Sequence, residues 1–150
     1  RQVATTRGPF VISTDRDRLD IDAIHKYLTR SYWAEGISQT MVARSIAHSL
    51  CFGLFEPEGS QVGFARVVTD MQTFAYVCDV YVLESMREIG LGKELVQAVV
   101  DHPVLRRVRR AMLVTRDAHG LYRPRGFAVP AHPERFLEIV RPDPYLRPAG

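Results

Sequence analysis

Arg87-Glu88-Ile89-Gly90-Leu91-Gly92-Lys93 joins an apolar, strand-like run to a helix-like one. Glycines at such a junction let backbone N–H groups converge with no side chain in the way, at the positive end of a helix dipole. A turn of this kind cradles phosphate.

The elements around it follow from periodicity and punctuation. Upstream, Phe74 to Leu83 reads as a long strand, and Leu50–Phe55 with Gln61–Val68 as an antiparallel hairpin closed by Glu56-Pro57-Glu58-Gly59. Further back, Asp20 caps a helix carrying Ile21, Ile24 and Leu28, and Ser38 caps a second carrying Val42 and Ile46. Val11-Ile12 starts a short strand, and Arg1 to Pro9 has little pattern. Downstream, Leu95, Val96, Val99 and Val100 form one helical stripe, broken or kinked at His102-Pro103. Ala111–Thr115 is a strand, Ala118–Tyr122 a short helix and Phe136–Val140 a last strand. Strand Phe74–Leu83, helix Leu91–His102 and strand Ala111–Thr115 form a βαβ unit, so the two strands are parallel with a right-handed crossover. The fold class is α/β, or α+β by some schemes: a mixed, mostly antiparallel twisted sheet under helices.

Composition narrows the setting. The 150 residues suit one domain, 1–150, with its core at about 10–140. No apolar run nears the roughly 20 residues of a membrane span, so no membrane partner is expected. Cys51 and Cys78 lie in apolar runs and form no CxxC pair, which suits a reducing cytoplasm. The net charge is +3, with arginines clustered at 106, 107, 109 and 110. Without interleaved aromatics that cluster reads as a solvated helix end, and nucleic acid is not an expected partner. No metal site is expected.

Three phosphate-binding turns compete at residues 87–93. A Walker A loop needs serine or threonine after Gly92-Lys93, where Glu94 stands, and a glycine where Arg87 stands. A dinucleotide fingerprint needs a third glycine where Leu95 stands. R-x-x-G-x-G fits at Arg87, Gly90 and Gly92. One strand later comes Ala118-His119-Gly120-Leu121-Tyr122-Arg123-Pro124-Arg125-Gly126-Phe127, which matches A-x-x-L-Y-x-x-x-G-F. With these two motifs at this spacing the chain resembles the GNAT family of N-acetyltransferases over roughly Phe10 to Val140. Two departures stand out: Glu88 and Ile89 occupy the middle of the turn, and Asp117 stands where asparagine is frequent.

The resemblance implies helices on both faces of the sheet and a central parallel strand pair that splays apart. It implies acetyl-CoA as cosubstrate, its diphosphate on Arg87, Glu88, Ile89, Gly90, Leu91, Gly92 and Lys93, and its pantetheine arm on backbone groups of Val80, Tyr81 and Val82, with Asp117 and Tyr122 nearby. Acetyl would pass directly to a primary amine of a small molecule or peptide, and Tyr122 would protonate the leaving thiolate. A phenol of pKa about 10 can protonate a thiolate of pKa about 8.5 as charge develops. A non-catalytic acyl-CoA-binding module of the same fold is the alternative, and a homodimer is an expectation by analogy.

Four further groups have two readings each. Asp79 in the run Val77-Cys78-Asp79-Val80 is a general base or amine-binding carboxylate, or a hydrogen-bonded structural acid. Asp70 binds the amine, or makes a turn at its strand's end. Tyr32 and Trp33 wall an acceptor site, or pack the core. Arg66, mid-strand, pairs with a carboxylate of the protein or of the acceptor.

Overall fold

In the computed structural model, which describes residues 2–5, 8–142 and 145, the side-chain caps fall where the sequence places them. Asp20 Oδ1 accepts from the Ala23 N–H to start α1 (Ile21–Leu28), and Ser38 Oγ accepts from Met41 N–H to start α2 (Gln39–Ala47). The helix after the glycine turn is divided at the proline: α3 (Leu91–Asp101) ends, and α4 (Pro103–Arg107) begins with Pro103 at its first position. His102 Nδ1 caps that start by accepting from Val104 N–H at 3.1 Å.

The strands are β1 (Gln2–Ala4), β2 (Val11–Ser13), β3 (Leu50–Phe55), β4 (Gln61–Thr69), β5 (Phe74–Val82) and β6 (Arg110–Leu113). They form one sheet in chain order, antiparallel throughout except for the parallel β5–β6 pair. A final short helix, α5 (His119–Tyr122), follows β6.

Alternation along the strands sends side chains to two faces. Phe52, Leu54, Ala65, Val67 and Val77 pack under α3 with Leu91, Leu95 and Val99. Cys51, Phe64 and Tyr81 face α1 and α2 with Ile24, Leu28, Val42 and Ile46. Helices therefore cover both faces. Among the described residues, no helix is long and apolar enough to cross a membrane.

Three expectations about the strands are corrected. Gln2–Ala4, without pattern of its own, is a strand because it pairs with Val11–Ser13. β6 starts and ends earlier than Ala111–Thr115. Phe136–Val140 joins no sheet: its pattern is strand-like, but no ladder receives it.

Burial sets an alkaline limit on stability. Desolvation pushes the Cys51 thiol up to about 11 and the Cys78 thiol up to about 12 from an ordinary 9.0, with Arg66 partly opposing. Above pH about 9 the unfolded chain sheds protons that the folded chain keeps, so stability falls as pH rises toward about 11. Each thiol adds a slope approaching ~1.4 kcal/mol per pH unit. Urea titrations at pH 8, 9 and 10 check this; a flat midpoint across that range counts against it.

Candidate active site

β5 and β6 are paired only from Phe74–Arg110 to Val77–Leu113. β6 then stops while β5 runs on to Val82, so one edge of β5 over Cys78–Val82 is left without a strand. A cleft of about 1010 Å³ opens at this separation. Among the described residues, no strand supplies ladder hydrogen bonds to that edge, which suits an extended ligand lying between the strands.

A bulge aims this edge. Phe64 pairs with Tyr81 but Arg66 pairs with Cys78, so β5 holds one residue more than β4 between those pairs. The extra residue falls at Asp79, whose backbone is left-handed at φ 52°. Aspartate tolerates that conformation better than the valines around it. Its carboxylate is held on both oxygens. Oδ2 accepts from Arg66 Nε at 2.8 Å, and Oδ1 accepts from the Trp33 indole at 2.9 Å. Arg66 also donates to Ser49 Oγ. The side chain of Asp79 is 10% exposed. Of the two readings of Asp79, general base or hydrogen-bonded structural acid, these contacts fit the second. Both oxygens accept from donors of the chain itself, and one of these contacts places Trp33. Arg66 is paired with a carboxylate of the protein, the first of its two readings.

Trp33 is the chain's single tryptophan. Asp79→Ala is expected to release its indole and shift its emission, and Asp79→Asn to shift it less, because its single amide oxygen can accept from Trp33 or from Arg66 but not from both. Fluorescence spectra of the three proteins decide this, and identical emission would remove the contact.

The turn after β5 has its geometry set by two left-handed residues, Glu88 (φ 73°) and Gly90 (φ 85°). Gly90 is the N-cap of α3. A Cβ on Gly92 would meet only Val82 Cγ2, at 4.0 Å, so the space above this residue is open and borders the cleft. Glu88 is exposed, which relieves a carboxylate beside a phosphate cradle. Arg87 is fixed by donating from Nε to the Val82 carbonyl and from Nη2 to Tyr27 Oη at 2.8 Å. Glu84 accepts two bonds from Arg30, which hold its carboxyl down at about 2. Tyr27 stacks on Tyr81 at 3.8 Å, with the Arg30 guanidinium 4.4 Å from the Tyr27 ring centre. These contacts tie α1 to the phosphate-type turn.

Tyr122 reaches the cleft from α5. Arg125 staples this segment to α3 by donating to the carbonyls of Lys93 and Leu121. The Tyr122 ring packs edge-on to Phe127, and burial pushes its phenol up to about 12.

Most expected site residues thus gather around one space. Val80, Tyr81, Val82, Arg87, Glu88, Ile89, Gly90, Gly92, Lys93, Asp117, Tyr122, Tyr32 and Trp33 all border the cleft. Leu91 does not: its side chain is core, under β5. Asp70 is excluded too. It closes the β4–β5 turn, with Oδ1 accepting from the amides of Gln72 and Thr73, at the opposite end of β5. Sequence reasoning missed Tyr27, Arg30 and Glu84. Tyr27 and Arg30 share a face at i, i+3, but nothing local shows that this face meets the turn 60 residues on.

Comparison with known proteins places the chain in a family. A family model described as the acetyltransferase (GNAT) family matches residues 17–127. "Putative acetyltransferase FG08082" of Gibberella zeae is 33% identical over 140 residues, spanning 78% of this chain and 77% of the relative. The crystal structure of a "putative acetyltransferase belonging to the gnat family" from Xanthomonas campestris superposes with TM-score 0.87 at 47% identity, covering 91% of this chain and 96% of that one. A "predicted acetyltransferase with acetyl-CoA" from Clostridium acetobutylicum shares the fold, with TM-score 0.63, 16% identity, and coverage of 87% and 94%. The chain belongs to the GNAT family of acetyltransferases.

Proposed function

We propose that this protein is an N-acetyltransferase that binds acetyl-CoA in the cleft between β5 and β6 and passes its acetyl group to a primary amine of a small molecule or peptide in the cytoplasm. The observation that carries the reading is the coincidence, around one space, of a phosphate-type turn, a bare strand edge and a buried tyrosine.

The residues fit the cosubstrate. Amides at the start of α3, with Arg87 and Lys93, supply positive potential for a diphosphate, and the open side of Gly92 admits it. The bare edge over Val80–Val82 offers N–H and C=O groups to a pantetheine arm. A backbone N–H there could polarise a thioester oxygen, an effect of about 3 kcal/mol. When bound, acetyl-CoA supplies an activated carbonyl and a thiolate leaving group.

The remaining roles belong to this chain. Tyr122, protonated at every ordinary pH because its phenol sits near 12, donates to the departing thiolate. Tyr32 and Trp33 wall the approach of the amine, with Trp33 held by Asp79. With Asp79 committed and Glu84 tied to Arg30, the amine proton leaves to water in the open cleft. Incubation with acetyl-CoA and a panel of amines, read by mass spectrometry for a 42 Da gain and by release of free CoA, tests the assignment. Tight CoA binding with no acetylated product from any amine would favour the non-catalytic module.

A further inference from the structure

One wall of the cleft is made of rings. Tyr32 and Trp33, in the loop between α1 and α2, meet edge to face at 82° with centres 5.1 Å apart, and form a corner. Both border the cleft, and they keep 55% and 38% of their surface exposed. Each ring is fixed by a residue outside the corner. Trp33 donates its indole N–H to Asp79 on β5. Tyr32 carries the Arg116 guanidinium 3.8 Å from its ring centre. Arg116 belongs to the loop between β6 and α5, so this contact ties the α1–α2 loop to the other bank of the cleft.

The charges around the corner cancel in pairs. Arg116 lies 3.7 Å from Asp117, Arg30 lies 3.0 Å from Glu84, and Arg66 lies 2.8 Å from Asp79. Arg30 also covers Tyr27, whose ring is tilted against Trp33 at 6.4 Å. Tyr27 and Tyr32 thus each hold a guanidinium on one face already, and a second cation on the acceptor would be repelled by both. A carboxylate or phosphate on the acceptor fares no better, because Arg30, Arg66 and Arg116 each have a carboxylate of their own. Arg87 and Lys93 stand at the glycine turn, where the diphosphate is proposed to lie. What the corner leaves open is ring surface, and a flat apolar group covers such a surface favourably.

We propose that the acceptor is an arylalkylamine, a primary amine on a short chain from an uncharged aromatic ring, and that this ring packs into the corner of Tyr32 and Trp33 with Arg116 as the positioning residue that holds Tyr32. The assignment rests on the acetyl-transfer reading of the cleft. Tyr122 borders the same cleft; burial first, and the nearby Tyr32 phenol second, raise its pKa. The corner and the proton donor are therefore neighbours, and a short chain carries the amine from one to the reacting carbonyl beside the other. There the N–C bond forms as the C–S bond breaks. The ammonium gives up two protons to water, one before attack and one after, and the thiolate takes one from Tyr122, which water restores.

Steady-state rates at saturating acetyl-CoA test the proposal with phenethylamine against putrescine and β-alanine, which carry a second charge. The aromatic amine is expected to exceed both in kcat/KM by about tenfold. Tyr32→Ala is expected to raise the KM for phenethylamine by about as much with kcat little changed, and Tyr32→Phe, which keeps the ring, to stay near wild type. Arg116→Ala is expected to raise that KM about threefold, the size of an exposed cation–π contact, with acetyl-CoA affinity unchanged, and Arg116→Lys to restore most of the loss. Trp33 emission titrated with phenethylamine in the absence of acetyl-CoA reads ring docking apart from turnover, and a saturable shift is expected. Such a shift with no acetylated amine would leave the ring site standing and remove the acetyl-transfer reading. Charged amines acetylated as well as the aromatic one, or a Tyr32→Ala protein with the wild-type KM, would overturn the proposal and leave acetyl transfer intact.

Discussion

Gly92→Glu is expected to abolish acetyl-CoA binding while leaving the fold at least as stable as wild type. The two halves of this expectation have separate causes. Gly92 is the second residue of α3, and its backbone is ordinary, unlike that of Gly90 and Glu88. A Cβ there meets nothing closer than 4.0 Å, so no side chain has to move. Replacing glycine inside a helix removes a cost of about 1 kcal/mol, and a carboxylate in the first turn complements the helix dipole. For a diphosphate the effect is opposite. The new side chain extends into the open space beside the cleft, where the anion is proposed to lie, and brings a negative charge within about 4 Å of it. At an effective dielectric near 20 that repulsion is ~4 kcal/mol, or roughly a thousandfold in affinity. Calorimetric titration with acetyl-CoA, alongside a thermal melt, measures both halves. Retained affinity would move the diphosphate away from residues 87–93. Gly90→Glu would be a poorer experiment, because φ 85° makes any side chain there strained and confounds folding with binding.

Tyr122→Phe is expected to lower turnover about a hundredfold and to change acetyl-CoA affinity less than twofold. The ring remains, so packing against Phe127 and the cavity walls is preserved. Only the hydroxyl is lost, and with it the proton for the leaving thiolate. General acid catalysis typically supplies about 10² to 10⁴ in rate. The lower end is appropriate here because a phenol near 12 is a weak acid toward a thiolate whose ordinary pKa is about 8.5. The same value fixes the pH behaviour: Tyr122 stays protonated to about pH 12, so it produces no alkaline fall in rate below that point. Steady-state rates of the two proteins, with calorimetric affinities, separate the roles. Equal turnover would take Tyr122 out of the chemistry.

The sheet was legible wherever a strand carries its own apolar run and its own stops. Leu50–Phe55 is one case, matched to the residue, and α1 and α2 were legible from Asp20 and Ser38 because a cap is a contact within four residues. β1 and Phe136–Val140 went the other way. Gln2–Ala4 has no pattern yet is a strand, because Val11–Ser13 offers it a ladder. Phe136–Val140 has the pattern and lacks the ladder. Strand propensity is a fit to a surface, and that surface is supplied by another part of the chain.

The site divides along the same line. Residues 87–93 and Tyr122 were readable because each motif is local, its glycines and aromatic set by neighbouring residues in sequence. The role of Asp79 was not. Its two partners lie 13 and 46 residues away, and only the folded sheet brings the Arg66 and Trp33 side chains to its two oxygens. Sequence alone therefore determined the elements with their own caps, runs and stops, and where the glycine turn stands. Tertiary structure decided which acid is committed, which strand edge is left bare and which apolar segment faces water, because hydrogen bonds and burial are made between distant residues that no local pattern pairs.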